Sequence, residues 1–359
     1  MKAWPRGADD EPDEVRPGAS DRARTVAEIV ASGIDVDPAA EPAGARHDDA
    51  DPREHGHALG HAHPHRHSEP GEPPVIGIVG AGAVGTALGV ALARAGWPVA
   101  AVASRDAGRR ERFRALVPAA RAFAEAEALI DEVELIIVAV PDDAIAALAA
   151  SLRLYAGQAM VHTSGALGAE VLSPALAAGT QVGGFHPLVA FADLERAIAA
   201  LHGATVAIEG DDQLAALLGS MAEALGAVPV RLASGSKAAY HAAAVLAAGG
   251  VVALLDAIAE LGRVAGLDEA GSLAIYGGLI EQTLGNARAL GIRDALTGPI
   301  ARGDVGTMRA HLATLQASAP EVLDLYRAAA VRELDLATQR GLLAPAVVEE
   351  LRESLASVR

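Results

Sequence analysis

From Pro74 onward, short apolar runs alternate with Gly and Pro punctuation. Val75-Ile-Gly-Ile-Val79 is continuously apolar, the pattern of a strand buried on both faces of a parallel sheet. It runs straight into Gly80-Ala-Gly82-Ala-Val-Gly85. A helix is predicted over Thr86–Ala95, because Val84, Leu88 and Leu92 fall four apart on one face and Gly96 stops it ahead of Trp97-Pro98. Val99–Ala103 is a second strand, and Glu134–Pro141 a further buried one, with Asp142 expected to cap the next helix. Ala159–Val161 opens a strand that ends in His162-Thr-Ser-Gly165. Gln181–Gly184 leads into Phe185-His-Pro-Leu-Val-Ala-Phe191, and Ala204–Ile208 with Val228–Val230 reads as more sheet. After Ser234 the strand pattern stops, and residues 236–357 read as wholly helical. The first helix there, roughly Ser236 to Ala265, is apolar nearly all round from Ala242, which predicts a buried axis of that domain or of a dimer. Gly249-Gly250 within it predicts that another backbone packs closely, since each glycine costs about 1 kcal/mol relative to Ala.

The first 70 residues break this pattern. They hold 15 acids against 8 bases, seven of the twelve histidines, eight prolines and Trp4 as their one aromatic. Such a segment cannot bury enough apolar surface to offset its ordering entropy, so disorder is expected, apart from a short helix near Thr25–Ala31. The domain reading is therefore a tail over 1–73, a dinucleotide-binding domain over 74–232 and an all-helical substrate and dimerisation domain over 233–359. His55 to His67 is a histidine-dense run that either chelates a divalent ion adventitiously or is a solvated linker, and no catalytic metal is expected.

Composition narrows the function. The 359 residues include no cysteine, which removes disulfide scaffolds, zinc ribbons and thiolate nucleophiles. A net charge of −17 and only ten aromatics argue against nucleic acid. The longest strongly apolar run, Ala242–Leu255, has 14 residues, short of the ~20 that span a bilayer. A cytoplasmic protein without a membrane partner is expected.

Strand, glycine turn, helix and strand form the context in which Gly-x-Gly-x-x-Gly binds a dinucleotide. Gly80 permits the tight turn, Gly82 admits the pyrophosphate to the backbone, and Gly85 lets helix and strand pack closely. The helix start at Ala83 and Val84 then faces the phosphates. At the end of the second strand, about 20 residues on, an NAD site supplies an acid to the ribose and an NADP site an Arg to the 2′-phosphate. Here the chain reads Ser104-Arg105-Asp106, with Arg109 and Arg110 one turn later. NADP is favoured, with Asp106 on the ribose of NAD as the alternative. Val140, Pro141 and Thr163, at the ends of the next two strands, are the remaining cofactor candidates. The fold class is thus α/β, a Rossmann-type doubly wound, mostly parallel sheet followed by an all-helical domain.

The motifs GIVGAGAVGTALG, VAVPDDAI, VHTSGALG, GGFHPLVAF, KAAYHAAAVLAAGG and LTGPIARGD, in that order, resemble proteins that join a Rossmann-like domain to a domain of unknown function 2520. More distantly, this family is similar to pyrroline-5-carboxylate reductase, prephenate dehydrogenase and the β-hydroxyacid dehydrogenases. The resemblance implies an NAD(P) domain beside a helical domain that usually dimerises, with an active site between them.

Four side chains are candidates for catalysis. His186 matches the catalytic His-Pro of prephenate dehydrogenase; otherwise it is a core histidine. Ser164 lies where the resembling dehydrogenases position substrate or nicotinamide; otherwise it caps the helix near Ala166. Lys237 and His241 share one helical face, as an acid/base pair or as a solvated and a structural residue. The β-hydroxyacid dehydrogenases have Lys-x-x-x-Asn there, and His241 replaces that Asn. Thr297 and Arg302 either reach the cleft, Arg302 as a carboxylate clamp, or belong to helix punctuation. The expected activity is an NADP-dependent hydride transfer to or from a small polar metabolite, an acid, at the interdomain cleft of a homodimer. The alternative is a dinucleotide sensor without catalysis.

Overall fold

The computed structural model describes residues 72–233 and 235–357. The tail's expected disorder, its short helix and its histidine run lie outside them. Two compact units divide between Ala238 and Ala239.

The first unit is built on one sheet. Its strands are β1 (Ile76–Val79), β2 (Val99–Ala103), β3 (Arg121–Phe123), β4 (Leu135–Val138), β5 (Ala159–His162), β6 (Gln181–Pro187), β7 (Thr205–Glu209) and β8 (Val228–Arg231). They lie in the order β3-β2-β1-β4-β5-β6-β7-β8. Every neighbouring pair is parallel except β6 with β7. The chain leaves β1 toward β2 and β3, then returns to lay β4 on the other side of β1, a switch point where a crevice opens at the carboxyl ends. β3 escapes the sequence pattern because Arg121-Ala-Phe123 is short and polar at its start.

Alternation divides the sheet into two faces. Ile76, Ile78, Leu135, Ile137, Val161, Phe185, Val206 and Ile208 point into one core, with Leu88, Leu92 and Phe113 from the helices above. Val79, Ala103, Ile136, Val138 and Met160 point into the other, closed by Leu129, Ile130, Ile145 and Leu172. Both faces are covered, which is why β1 and β4 read as unbroken apolar runs.

In the second unit the helices Val305–Ser318, Pro320–Gln339 and Pro345–Ser357 enclose a core of Met308, Leu312, Leu315, Leu334, Leu351 and Leu355. The helix Lys237–Val264 overturns two expectations. It is long and apolar enough, by length and composition, to cross a membrane, and only 6% of its apolar window is buried within the chain. The 14-residue run had understated it, because Lys237 to Val264 is one continuous helix that includes a π turn at Leu246–Gly250. It is not a buried axis of its own domain, and among the described residues no backbone packs on Gly249, around which a Cβ would meet nothing within 4 Å. Leu246 and Val252 on it, and Ile275, Leu279 and Leu284 on the helix Glu269–Leu290, stand exposed.

Candidate functional site

The glycine turn after β1 separates into two kinds of glycine. At Gly80, where φ is +107°, a Cβ would lie 2.2 Å from the Ala139 carbonyl oxygen, and one on Gly85 would lie 1.9 Å from that of Gly80. Packing alone demands both. At Gly82 the only neighbour within 4 Å among the described residues is Arg109 Nη1, at 3.9 Å. Nothing inside the fold requires that glycine, and its absent side chain leaves an open approach to the start of the helix Ala83–Arg94. Gly82 is the N-cap of this helix and offers no side-chain cap. By contrast Asp106, Asp193, Asp211, Asp268 and Asp304 each cap their helices through a carboxylate. A carboxylate at Gly82 would compete with an incoming phosphate for the same N–H groups.

At the end of β2, Ser104 is half-buried and its carbonyl accepts a bond from Arg110 Nη1. Asp106 accepts from the Arg109 backbone N–H at 2.9 Å and pairs with Arg109 Nε at 3.6 Å. The Arg109 N–H, more than the neighbouring guanidinium, holds the Asp106 carboxyl below its usual range. Asp106 is therefore engaged as a cap, whereas Arg105 is exposed. Val140 and Pro141 follow β4, and Pro141, not Asp142, is the N-cap of the helix Asp142–Ser151. This corrects the expected role of Asp142, whose carboxylate instead accepts from Ser164 Oγ at 2.8 Å.

That bond belongs to the loop after β5. Ser164 Oγ accepts from the N–H groups of Ala166 and Leu167 at 3.1 and 3.0 Å. With the bond to Asp142, its donor and both acceptor positions are engaged. His162, fully buried, faces the same loop: Nδ1 accepts from Ser164 N–H at 3.2 Å, and Nε2 lies 3.1 Å from the Gly168 carbonyl. Burial first, and the Lys237 charge second, hold its pKa below the usual imidazole value. Neutral His162 with its proton on Nε2 satisfies both partners. Thr163 is tied to β4, its N–H donating to Val138 at 3.0 Å.

The strand registers align Ala103, Val79, Val138, His162, Gly184 and Glu209 in one row across the sheet, at the carboxyl ends of the parallel strands. Side-by-side residues share a face. Gly184 therefore leaves a gap between the His162 and Glu209 side chains. The Lys237 ammonium fills it and pairs with Glu209 Oε2. A Cβ on Gly184 would lie 2.7 Å from that oxygen and 3.0 Å from Lys237 Nζ. Lys237, 5% exposed, is thus a buried cation, contrary to the reading of it as a solvated first-turn residue. His186, two residues beyond Gly184, lies on the same face by alternation and is half-buried. His241 is half-buried one turn after Lys237, and burial pushes the adjacent Tyr240 phenol up to about 12. Thr297 and Arg302 are exposed, and Asp304 caps the helix Val305–Ser318.

Residue-by-residue reading of the sequence missed Gly184, Glu209 and the buried His162. One signal was there to be used: of 29 basic Lys and Arg residues only Lys2 and Lys237 are lysine. Lys237 is thus the one lysine among the described residues, and a compact ammonium seats where a planar guanidinium would not.

Two family models match the chain, a Rossmann-like domain over residues 66–187 and a domain of unknown function 2520 over residues 204–333. The two matches follow one another along the chain without overlap. The Rossmann-like match ends with His186-Pro187, whereas the DUF2520 match opens just ahead of β7 and takes in Glu209, Lys237 and His241. Among solved structures, BF3122 of Bacteroides fragilis, described as an NADP oxidoreductase, is 24% identical with a TM-score of 0.61, over 73% of this chain and 98% of its own. Protein TM1727 of Thermotoga maritima is 26% identical with a TM-score of 0.51, over 79% and 99%. The 1-pyrroline-5-carboxylate reductase of Streptococcus pyogenes is 16% identical with a TM-score of 0.50, over 80% and 98%. At these identities the likenesses show a shared fold. No curated protein matches it.

Proposed function

We propose that this protein is an NADP-dependent oxidoreductase acting on a small polar metabolite, most simply an acid. The observation that carries the reading is Gly82, a glycine that packing does not require, set where a pyrophosphate would meet an uncapped helix start. The backbone at Ala83, Val84 and Gly85 would hold the pyrophosphate, with Arg109 beside it. Arg105 would take the 2′-phosphate, since Asp106, the residue that would favour NAD, is engaged as a cap. Val140 and Pro141, after β4 beside β1, and Thr163, after β5 one strand further, would line the nicotinamide side. When bound, the reduced cofactor supplies a hydride. The chain must then move a proton at the substrate heteroatom, and Lys237 and His186, on one sheet face, are the groups for it. Ser164, with its hydroxyl fully engaged, would shape the loop rather than react. His241 would contribute from the next helical turn.

A second copy of the chain would cover the apolar surface of Leu246, Val252, Ile275 and Leu279, forming the homodimer and keeping the long helix out of a bilayer.

The test is a titration of wild type and Arg105→Ala with NADPH and NADH, followed by turnover of a panel of keto, imino and hydroxy acids. Arg105→Ala should weaken NADPH by about 1.5–3 kcal/mol, as for a charge-assisted hydrogen bond, and leave NADH nearly unchanged. Equal losses would remove the NADP assignment. Tight NADPH binding with no turnover across the panel would replace the enzyme by a dinucleotide sensor.

A further inference from the structure

The proton chemistry of the proposed oxidoreductase needs an amine held in one place, and the sheet supplies a seat for it. We propose that Glu209 is the positioning residue of Lys237, and that Gly184 is glycine because the ion pair occupies the volume its side chain would fill.

Three independent features meet here. First, Lys237 is the one lysine among residues 72–357, in a chain that otherwise uses Arg. Second, the partner comes from a distant strand: β7 runs antiparallel to β6, and this reversal brings its last residue, Glu209, level with Gly184 and His162 on the carboxyl row. Third, the gap is bounded on its other side by His162, a fully buried imidazole whose Nδ1 accepts from the Ser164 N–H and so carries no proton, which leaves Lys237 as the cation facing Glu209 there. A buried ammonium without a partner would be costly, and the Glu209 carboxylate offsets that cost while fixing where the N–H bonds point.

This inference rests on the oxidoreductase reading for its chemistry. In the step it describes, an N–H bond of Lys237 Nζ breaks and an O–H or N–H bond forms on the reduced carbonyl or imine. Lys237 remains as a neutral amine beside the Glu209 carboxylate until it takes a proton from water. Glu209 touches no reacting atom; it acts through Lys237.

The experiment exploits the two-lysine sequence. Acetic anhydride labelling of the full chain, read by peptide mass spectrometry, gives Lys237 reactivity with Lys2 as the internal standard. Wild type, Glu209→Gln and Gly184→Ala are compared, with melting temperature and NADPH affinity as controls. Glu209→Gln keeps the shape and removes the charge; Gly184→Ala keeps the charge and removes the space. Both should raise Lys237 labelling several-fold while leaving NADPH affinity unchanged. With glyoxylate and 1-pyrroline as probe substrates, both should lower kcat by about tenfold or more, with little change in KM. Glu209→Asp, which retains a carboxylate, should recover part of kcat.

Labelling of Lys237 insensitive to both variants would overturn the seat. Raised labelling with wild-type kcat would overturn the positioning role. A wild type that binds no NADPH would remove the oxidoreductase reading, and the labelling would still decide the seat.

Discussion

His162 shows how a side chain can carry a site without standing in it. Its sequence context, a histidine closing an apolar strand before Thr-Ser-Gly, drew attention to the polar residues after it, yet the imidazole is the fully buried member. Burial cannot be read from residue type, because a strand-end histidine suits a wet crevice or a dry core equally. The consequence is a pH dependence. The folded pKa lies below the unfolded value of about 6.5, so below that pH the unfolded chain takes up a proton that the folded chain refuses. Stability should be lost as pH falls from 7 toward 5, by at most about 1.4 kcal/mol per pH unit for this one group. Thermal melts across that range should show a steeper fall for wild type than for His162→Gln. Equal slopes would mean that His162 is protonated in the folded protein.

At the scale of elements, the glycine turn and most strands were legible because their chemistry is local. Apolar runs mark a doubly covered sheet, and Gly80 and Gly85 sit where backbone crowding forbids a side chain. The direction of β7 was not legible, since Thr205–Glu209 has the same alternation read either way, and only pairing with β6 sets which end meets the carboxyl row. Glu209 was therefore invisible as a partner of Lys237. The two kinds of glycine predict opposite phenotypes. Gly85→Ala should destabilise the protein by about 1–3 kcal/mol or more through overpacking, with NADPH binding lost as a consequence. Gly82→Ala should melt like wild type yet bind NADPH about tenfold more weakly, a loss of roughly 1.4 kcal/mol. Differential scanning fluorimetry with and without NADPH separates the two, and unchanged NADPH affinity in Gly82→Ala would remove the open approach as a phosphate cradle.

At the scale of the whole molecule, the apolar helix Lys237–Val264 was read as a buried axis of its domain or of a dimer, and its periodicity could not say which. Among the described residues, its C-terminal part packs through Ala257 and Leu261 on the helical core, whereas Leu246 and Val252 are left exposed. Covering an exposed Leu or Ile gains about 1.5–3 kcal/mol, enough that a few such side chains hold two copies together. Sedimentation should find wild type at twice the chain mass and Ile275→Lys, with Leu279→Lys, at the chain mass; a monomeric wild type would send the question to lipid vesicles instead.

The scarcity of lysine has a last consequence. A lysine-specific endoprotease has one cleavage point after residue 2, the bond following Lys237, one residue before the boundary between the two units. That bond follows a side chain locked into the sheet. A single cut would divide the backbone into residues 1–237 and 238–359, and it would do so only in molecules whose ion pair had already opened. The chain carries its own proteolytic gauge of how often that happens.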